Sequence, residues 1–276
     1  IDIGGPTMIR AAAKNFTSVL VVVDPADYQW VLEKMGKWGL SIEERKRLAQ
    51  KAFQHVAVYD TAISQYLRRG EEGFPDEISF GGKKLYDLRY GENPHQKAAF
   101  YKDVLSSGGI ASAQQLHGKE LSFNNILDAD AAWKVVSDFQ EPAVCVIKHT
   151  NPCGLASRRD IAEAYRLAFQ GDPVSAFGGI VGFNRRVTAE AAQEAAKIFY
   201  EIIVAPDYET EALNILQKKR DLRILKVDPR EGAKSLDIRR VGGGLGFGRS
   251  GGWGRGFHGR AADRALQAEA GPGQGD

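Results

Sequence analysis

Cysteine is scarce. The chain of 276 residues holds two, Cys145 and Cys153. Two thiols without C-x-x-C spacing cannot build a disulfide framework or a four-thiolate zinc site. A reducing, cytoplasmic setting is therefore expected. Charge of either sign is not in excess: 37 lysines and arginines face 35 acids, a formal net charge of +2. That balance excludes a chain that binds nucleic acid through bulk basicity. No run of about 18 apolar residues occurs, so no membrane span or membrane partner is expected. The first residues lack a basic segment followed by an apolar one, so no signal peptide is expected. The chain opens on Ile1, inside what reads as the middle of an element. A preceding portion is expected. What is present is the composition of a globular protein, 43% hydrophobic and 26% charged.

The order of elements reads as α/β. "IDIGGPTMIRAAAKN" gives a Gly-Gly turn, Pro6 near the first helical position and a short helix ending near Asn15. "TSVLVVVD" (17–24) is a continuous β-branched run, as in a strand buried on both faces. A helix is expected over 26–35. "SIEE" (41–44) is a capping box that starts a long helix reaching Gly70. The acidic, Gly- and Pro-bearing segment 70–77 reads as a linker. It separates a first domain, 1–76, from a second, 77–241. In the second, strands are expected at 77–88, 97–101, 143–149, within 175–183, and at "IIVAP" and "LRILKV"; helices at 126–138, 160–170, 188–200 and "YETEALNILQKK". From 242 onward 13 of the chain's 31 glycines crowd into 35 residues. That tail, 242–276, is expected to lack regular structure.

Several constellations could carry chemistry. In "VIKHTNPCG" an apolar strand ends in Lys148 and His149 before a Pro/Gly turn. That puts both at the carboxyl edge of a sheet, where open α/β folds bind ligands. His149 suits a general base, and Lys148 can stabilise developing negative charge. The plain alternative is a strand terminus with a solvated lysine and a hydrogen-bonded core histidine. "LRYGENPHQ" (88–96) packs hydrogen-bonding groups around an Asn93-Pro94 turn. Arg89 is a candidate clamp for phosphate or carboxylate, or else half of a surface ion pair. In "SFNNILDADAAW" Asn124 or Asn125 is the candidate N-cap, or an amide turned toward a planar ligand. "SAFGG" (175–179) is a small-residue corner that admits close backbone approach, or a tight turn. "IDIGG" with Lys14 offers an acid, two glycines and a nearby lysine. It matches neither a Walker A loop nor a dinucleotide fingerprint. The arginines of the tail resemble RG-rich RNA-binding segments, but its acids partly cancel them, so nucleic acid is not the expected partner.

Taken in order, "IDIGGPTMIRAAAKN", "LRYGENPHQ", "GKELSFNNILDADAAW", "IKHTNPCG", "SAFGGIVGFN" and "IIVAPDY" closely resemble the AICAR transformylase/IMP cyclohydrolase family of bifunctional purine-biosynthesis enzymes. The resemblance covers residues 1 to about 244. It implies that 1–76 are the C-terminal part of a methylglyoxal-synthase-like cyclohydrolase domain. Residues 77–241 would be the first part of a cytidine-deaminase-like transformylase domain that carries no zinc. The implied chemistry is formyl transfer from 10-formyltetrahydrofolate to the 5-amino group of AICAR, then cyclisation of FAICAR to IMP. The resemblance gives His149 the base role with Lys148 beside it. It gives Arg89, Tyr90, Asn125, Gly178 and Glu201 to the nucleotide. Asp2, Gly4 and Gly5 match a cyclohydrolase substrate loop, and Lys14 a catalytic lysine. A homodimer is implied as well. The family's earlier cyclohydrolase residues and later transformylase residues have no counterpart in this sequence, and the text after "RRVGGG" departs from the family pattern. The expectation is a fragment with a frameshifted C-terminus and little or no formyl transfer of its own. The competing class is a non-catalytic α/β protein with an RG-like tail.

Overall fold

A computed structural model describes residues 1–70, 73–106, 108–228 and 236–249. The chain divides into two compact units. The first comprises Ile1–Lys84 and Tyr101–Leu105, and the second holds the rest.

In the first unit, α1 (Gly4–Lys14), α2 (Tyr28–Met35) and α3 (Ile42–Leu67) carry the fold. α3 begins on the expected capping box. Ser41 Oγ accepts from the Glu44 amide at 3.2 Å, and Glu44 Oε2 accepts from the Ser41 amide at 2.8 Å. Two small apolar clusters result. One joins Ala13 of α1 to Ala49 and Ala52 of α3, and the other joins Val31 and Leu40 to Leu48. The run at 17–24 sits between them. Val21 and Val23 turn to the first cluster, Leu20 and Val22 to the second. Alternation is the mark of extended chain, and it serves both faces as expected. The expected strand is nevertheless not formed: among the described residues no neighbour hydrogen-bonds this run into a ladder.

The second unit is built on a six-stranded mixed sheet. Its strands are β3 (Gln114–His117), β4 (Ala143–Lys148), β5 (Asn151–Ser157), β6 (Ile180–Phe183), β7 (Ile202–Ala205) and β8 (Arg223–Lys226), and its order is β3-β8-β7-β6-β4-β5. β6, β7 and β8 run parallel; β4 is antiparallel to both β5 and β6, and β3 to β8. β1 (Gly82–Leu88) and β2 (Ala98–Asp103) form a separate two-stranded ribbon around the 89–97 loop. One face of the large sheet carries α4 (Phe123–Ser137); the other packs α5 (Ile161–Gln170), α7 (Ala189–Ala196) and α8 (Thr210–Leu216). Between them α6 (Pro173–Ala176) is a single turn before β6. Successive side chains turn to opposite faces along the central strands, and both faces are buried. Val144 and Val146 enter the α5/α7 core while Cys145 and Ile147 enter the α4 core, and Ile203 and Ile202 divide the same way. Continuous apolar runs are thus read out as strands covered on both faces.

Three local expectations change. "NPCGLAS" forms edge strand β5 rather than a turn, with a register shift between Val146 and Ile147. Pro152 is tolerated because an edge strand leaves one set of backbone groups unpaired. The helix expected over 188–200 ends at Ala196. β9 (Leu236–Val241) pairs with β10 (Gly244–Arg249) as an antiparallel hairpin, so the tail expected to lack structure from 242 begins with regular strand. Residues 250–276 lie outside the described residues.

Candidate functional site

Lys148, His149, Gly178 and Glu201 lie along one edge of the sheet, although not the edge expected. Because β4 is antiparallel to β6, its C-terminal end lies beside the start of β6: Ile147 pairs with Ile180. Lys148 and His149 therefore stand where the parallel strands begin, not at their carboxyl ends. The direction of β4 depends on pairing with distant strands and could not be read locally. The same edge carries Gly178 before β6, Glu201 before β7 and Arg223 at the start of β8.

At the end of β4, Lys148 pairs with Asn151, which leaves His149 and Thr150 as a two-residue hairpin loop. Both have positive φ, 52° and 61°, a conformation hairpins favour and L side chains resist. The Thr150 amide donates to Asp128 Oδ1 on α4 at 2.7 Å, and Asn151 Nδ2 donates to the His149 carbonyl at 2.8 Å. The imidazole of His149 is exposed and has no hydrogen-bond partner among the described residues, unlike the satisfied core histidine of the plain alternative. Nor is Lys148 simply solvated: its Nζ donates to the Phe177 carbonyl at 3.0 Å.

That contact leads to the next strand. Gly178 has φ 73°, and its amide donates to the Phe199 carbonyl at 2.8 Å. The Glu201 amide donates to the Gly179 carbonyl at 2.9 Å. Glu201 Oε2 meets Arg223 Nη1 at 2.7 Å, and Arg223 Nε donates to the Glu120 carbonyl at 3.0 Å. The arginine side chain is 6% exposed, the carboxylate 38%. A buried guanidinium thus holds one carboxylate oxygen of Glu201 at the rim.

The 88–96 loop is fastened to the start of α4. The Phe123 amide donates to the Tyr90 carbonyl at 3.4 Å, and Asn124 Nδ2 to the Glu92 carbonyl at 3.3 Å. Within the loop, the Gly91 amide donates to the Gln96 carbonyl, and Gln96 Oε1 accepts from the Asn93 amide. The exposed Arg89 guanidinium lies 5.4 Å from the centre of the Tyr90 ring. The cap of α4 is Ser122, not Asn124 or Asn125: Ser122 Oγ accepts from the Asn125 amide at 3.3 Å, and Asn125 Oδ1 accepts from the Ser122 amide at 3.2 Å. The side-chain oxygen of Asn125 is thereby used inside the protein.

In the first unit, Asp2 is held by its amide donating to Tyr59 Oη at 2.7 Å. Its Oδ1 accepts from the Gly5 amide at 3.4 Å. The Gly5 amide therefore faces the protein's own carboxylate. Gly4 opens α1, and Lys14 lies exposed in its last turn.

Sequence reasoning missed Asp128, Phe177 and Arg223. Neither Asp128 nor Arg223 stands out by residue type, since α4 also holds Asp130 and Lys134 and β8 ends in Lys226. Phe177 acts through its carbonyl, which no residue type reveals. A cavity of about 190 Å³, lined by Phe199, Tyr200 and Leu222 and by the charged Lys219, Arg220 and Asp221, adjoins the same edge.

Comparison with known proteins follows the same residues. The family described as AICARFT/IMPCHase bienzyme matches residues 12–249. The bifunctional purine biosynthesis protein PurH of Thermoanaerobacter sp. (strain X514) is 54% identical over 248 residues, which cover 89% of this chain and 48% of that protein. PurH of Ruminiclostridium cellulolyticum is 50% identical over 252 residues, covering 89% and 49%. PurH of Caldicellulosiruptor saccharolyticus gives the same identity and shares. The chain spans about half the length of the curated relatives it matches.

Proposed function

Since the chain belongs to the AICARFT/IMPCHase bienzyme family, we propose that its second unit carries the nucleotide half of a formyl-transfer site. The substrates are AICAR and 10-formyltetrahydrofolate. The amine of AICAR is conjugated to an electron-poor imidazole and is a weak nucleophile. It attacks the formyl carbon as His149 removes its proton, and tetrahydrofolate leaves with its nitrogen protonated. Lys148 lies beside the base and offsets charge on the tetrahedral oxyanion. General-base help of this kind is worth about 10²–10⁴-fold. Arg89 and Tyr90 hold the phosphate end, while Gly178 and Glu201 receive the remainder from across the sheet edge and Asn125 keeps the start of α4 in place.

The observation that carries this reading is one contact path. From the Arg89–Tyr90 loop it passes to α4, to the His149–Thr150 turn, through Lys148 to Phe177, and on through Gly178 to Glu201. At the middle of that path the His149 ring is exposed and has no hydrogen-bond partner among the described residues. In the first unit we assign Asp2, Gly4 and Gly5 to a substrate loop and Lys14 to catalysis of FAICAR cyclisation to IMP, with loss of water. Homodimerisation and a cytoplasmic setting belong to the same proposal.

The test is calorimetric titration of AICAR into this chain, with the His149 imidazole resonance followed in parallel. Saturable binding that shifts this resonance is expected. Arg89→Ala should weaken it about tenfold, as for the loss of a charge-assisted hydrogen bond. Absence of saturable binding, or binding indifferent to both Arg89→Ala and His149→Ala, would overturn the assignment.

A further inference from the structure

We infer that Asp128 is a positioning residue: its carboxylate clasps the left-handed His149–Thr150 turn and so aims the His149 imidazole. The inference rests on the reading of His149 just given, but its first test does not.

The turn is unusual in composition. Two-residue hairpin loops with positive φ at both positions draw on Asn, Asp and Gly. Here they are filled by His149 at 52° and by Thr150 at 61°. A β-branched residue there is strained, and such strain persists only where the surroundings over-determine it. Three hydrogen bonds brace the turn. Thr150 Oγ1 and Asn151 Nδ2 both donate to the His149 carbonyl, at 2.7 and 2.8 Å. These two are local and move with the loop. The third, from the Thr150 amide to Asp128 Oδ1 at 2.7 Å, ties the loop to a different element.

Nothing in α4 itself calls for an acid at this place. The helix starts at Phe123 and is capped by Ser122, so Asp128 lies in its second turn, where aspartate is a poor helix former. Asp128 also makes no ion pair among the described residues. What its carboxylate does is receive the Thr150 amide. One turn earlier the same helix fastens Tyr90 and Glu92 through Phe123 and Asn124. The first two turns of α4 thus set both the loop bearing Arg89 and the turn bearing His149. Without the clasp the turn is free to leave the left-handed region, and the imidazole direction goes with it.

The experiment compares wild type, Asp128→Ala, Asp128→Asn and Thr150→Gly in the full chain. Without nucleotide, Asp128→Ala should lower protection of the Thr150 amide against exchange by about tenfold and move the His149 imidazole resonance. Asp128→Asn keeps an acceptor oxygen and should retain most of both signals. Glycine carries no penalty at positive φ, so in a Thr150→Gly background Asp128→Ala should move the His149 resonance much less. This rescue separates positioning of the turn from general support of the fold. If Asp128→Ala leaves Thr150 protection and the His149 resonance unchanged, or if Thr150→Gly gives no rescue, the inference is wrong. If Asp128→Ala does not fold, the decision passes to Asp128→Asn, and loss of both signals in that variant counts against the inference. AICAR is then added. Affinity falling about tenfold in Asp128→Ala alone supports both readings. A wild-type chain that ignores AICAR while the exchange result stands overturns the nucleotide assignment and leaves the clasp intact.

Discussion

The two units bury their apolar residues in different ways. In the second, every central strand is covered on both faces, and Val144, Cys145, Val146, Ile147, Ile203 and Val204 are all fully buried or nearly so. In the first, two small clusters hold three helices and an unpaired extended run, while Met8, Leu32, Met35 and Trp38 stand exposed. The first unit compensates with local and electrostatic devices: a capping box on α3, and Lys51 set between Asp24 at 2.6 Å and Asp27 at 2.7 Å. The second compensates for its buried polar groups by pairing them, as with the Tyr165–Tyr200 hydroxyl contact at 3.0 Å. The second unit, which has a capping box of its own on α4, rests on two-sided sheet packing that the first lacks, so the same kind of perturbation should act unequally on them.

The largest difference is expected from adding one methyl group. At Gly154, on β5, a Cβ would stand 1.8 Å from the Ala168 carbonyl oxygen of α5. Neither backbone can give way without opening the core, so Gly154→Ala should cost about 3 kcal/mol or more. At Gly39, in the first unit, a Cβ meets nothing within 4 Å, and only its φ of +72° resists. Gly39→Ala should cost about 1 kcal/mol, the left-handed penalty of an L residue. Denaturant melts read by single tryptophans, Trp133 for the second unit and Trp30 for the first, measure both. Equal costs would mean that strand–helix approach does not limit the second unit.

Alkali comes next. Burial pushes the Cys145 thiol up to about 12 and the Tyr200 phenol likewise to about 12, and it raises Tyr165 and Tyr208 as well. These groups fold as neutral acids. Their folded pKa values exceed the ordinary 9.0 and 10.0, so the stability they carry is whole below about pH 9 and is lost as pH rises toward about 12. Tyrosinate absorbance should therefore rise in two stages, with the late stage coinciding with loss of Trp133 fluorescence from the native environment. A single early stage would show that the tyrosines of the second unit are not shielded.

Much of this contrast was legible in the sequence, and its failures have physical causes. The Ser41–Glu44 box and the runs at 143–148, 180–183 and 202–205 depend on near neighbours or on composition, and they form as read. β5 was missed because Pro152 and Gly154 read as turn residues. Only its place at the sheet edge, together with close packing on α5, makes both acceptable. The run at 17–24 has the composition of a strand, but a ladder needs a partner, and composition says nothing of partners. For the site, residue types pointed to Lys148, His149 and Arg89, whereas the edge on which they meet depends on the direction of β4. Asp128 escaped notice because its role is a contact to a backbone amide 22 residues away.

The smallest effect should come from the first unit's surface charges. Lys51 holds the Asp24 carboxyl below its ordinary value of 3.8, with help from the Ala26 amide, and Lys34 does the same for Glu44. A depressed folded pKa means stability that is present above the ordinary carboxylate range and is lost as pH falls below that range through the folded value. Exposed pairs of this kind contribute little and are screened by salt. Lys51→Met should therefore lower the first unit's melting temperature slightly at neutral pH and low salt, and less in about 1 M salt, where the Debye length is about 3 Å. Only well below the ordinary value of 3.8, once pH has fallen past the depressed folded value of Asp24, should variant and wild type melt together, because the carboxylates are then protonated with or without the lysine. A difference that survives both salt and acid would mean that the Lys51 stem, rather than its charge, supports the first unit. Packing would then govern both halves of the chain, and the contrast between them would be one of degree.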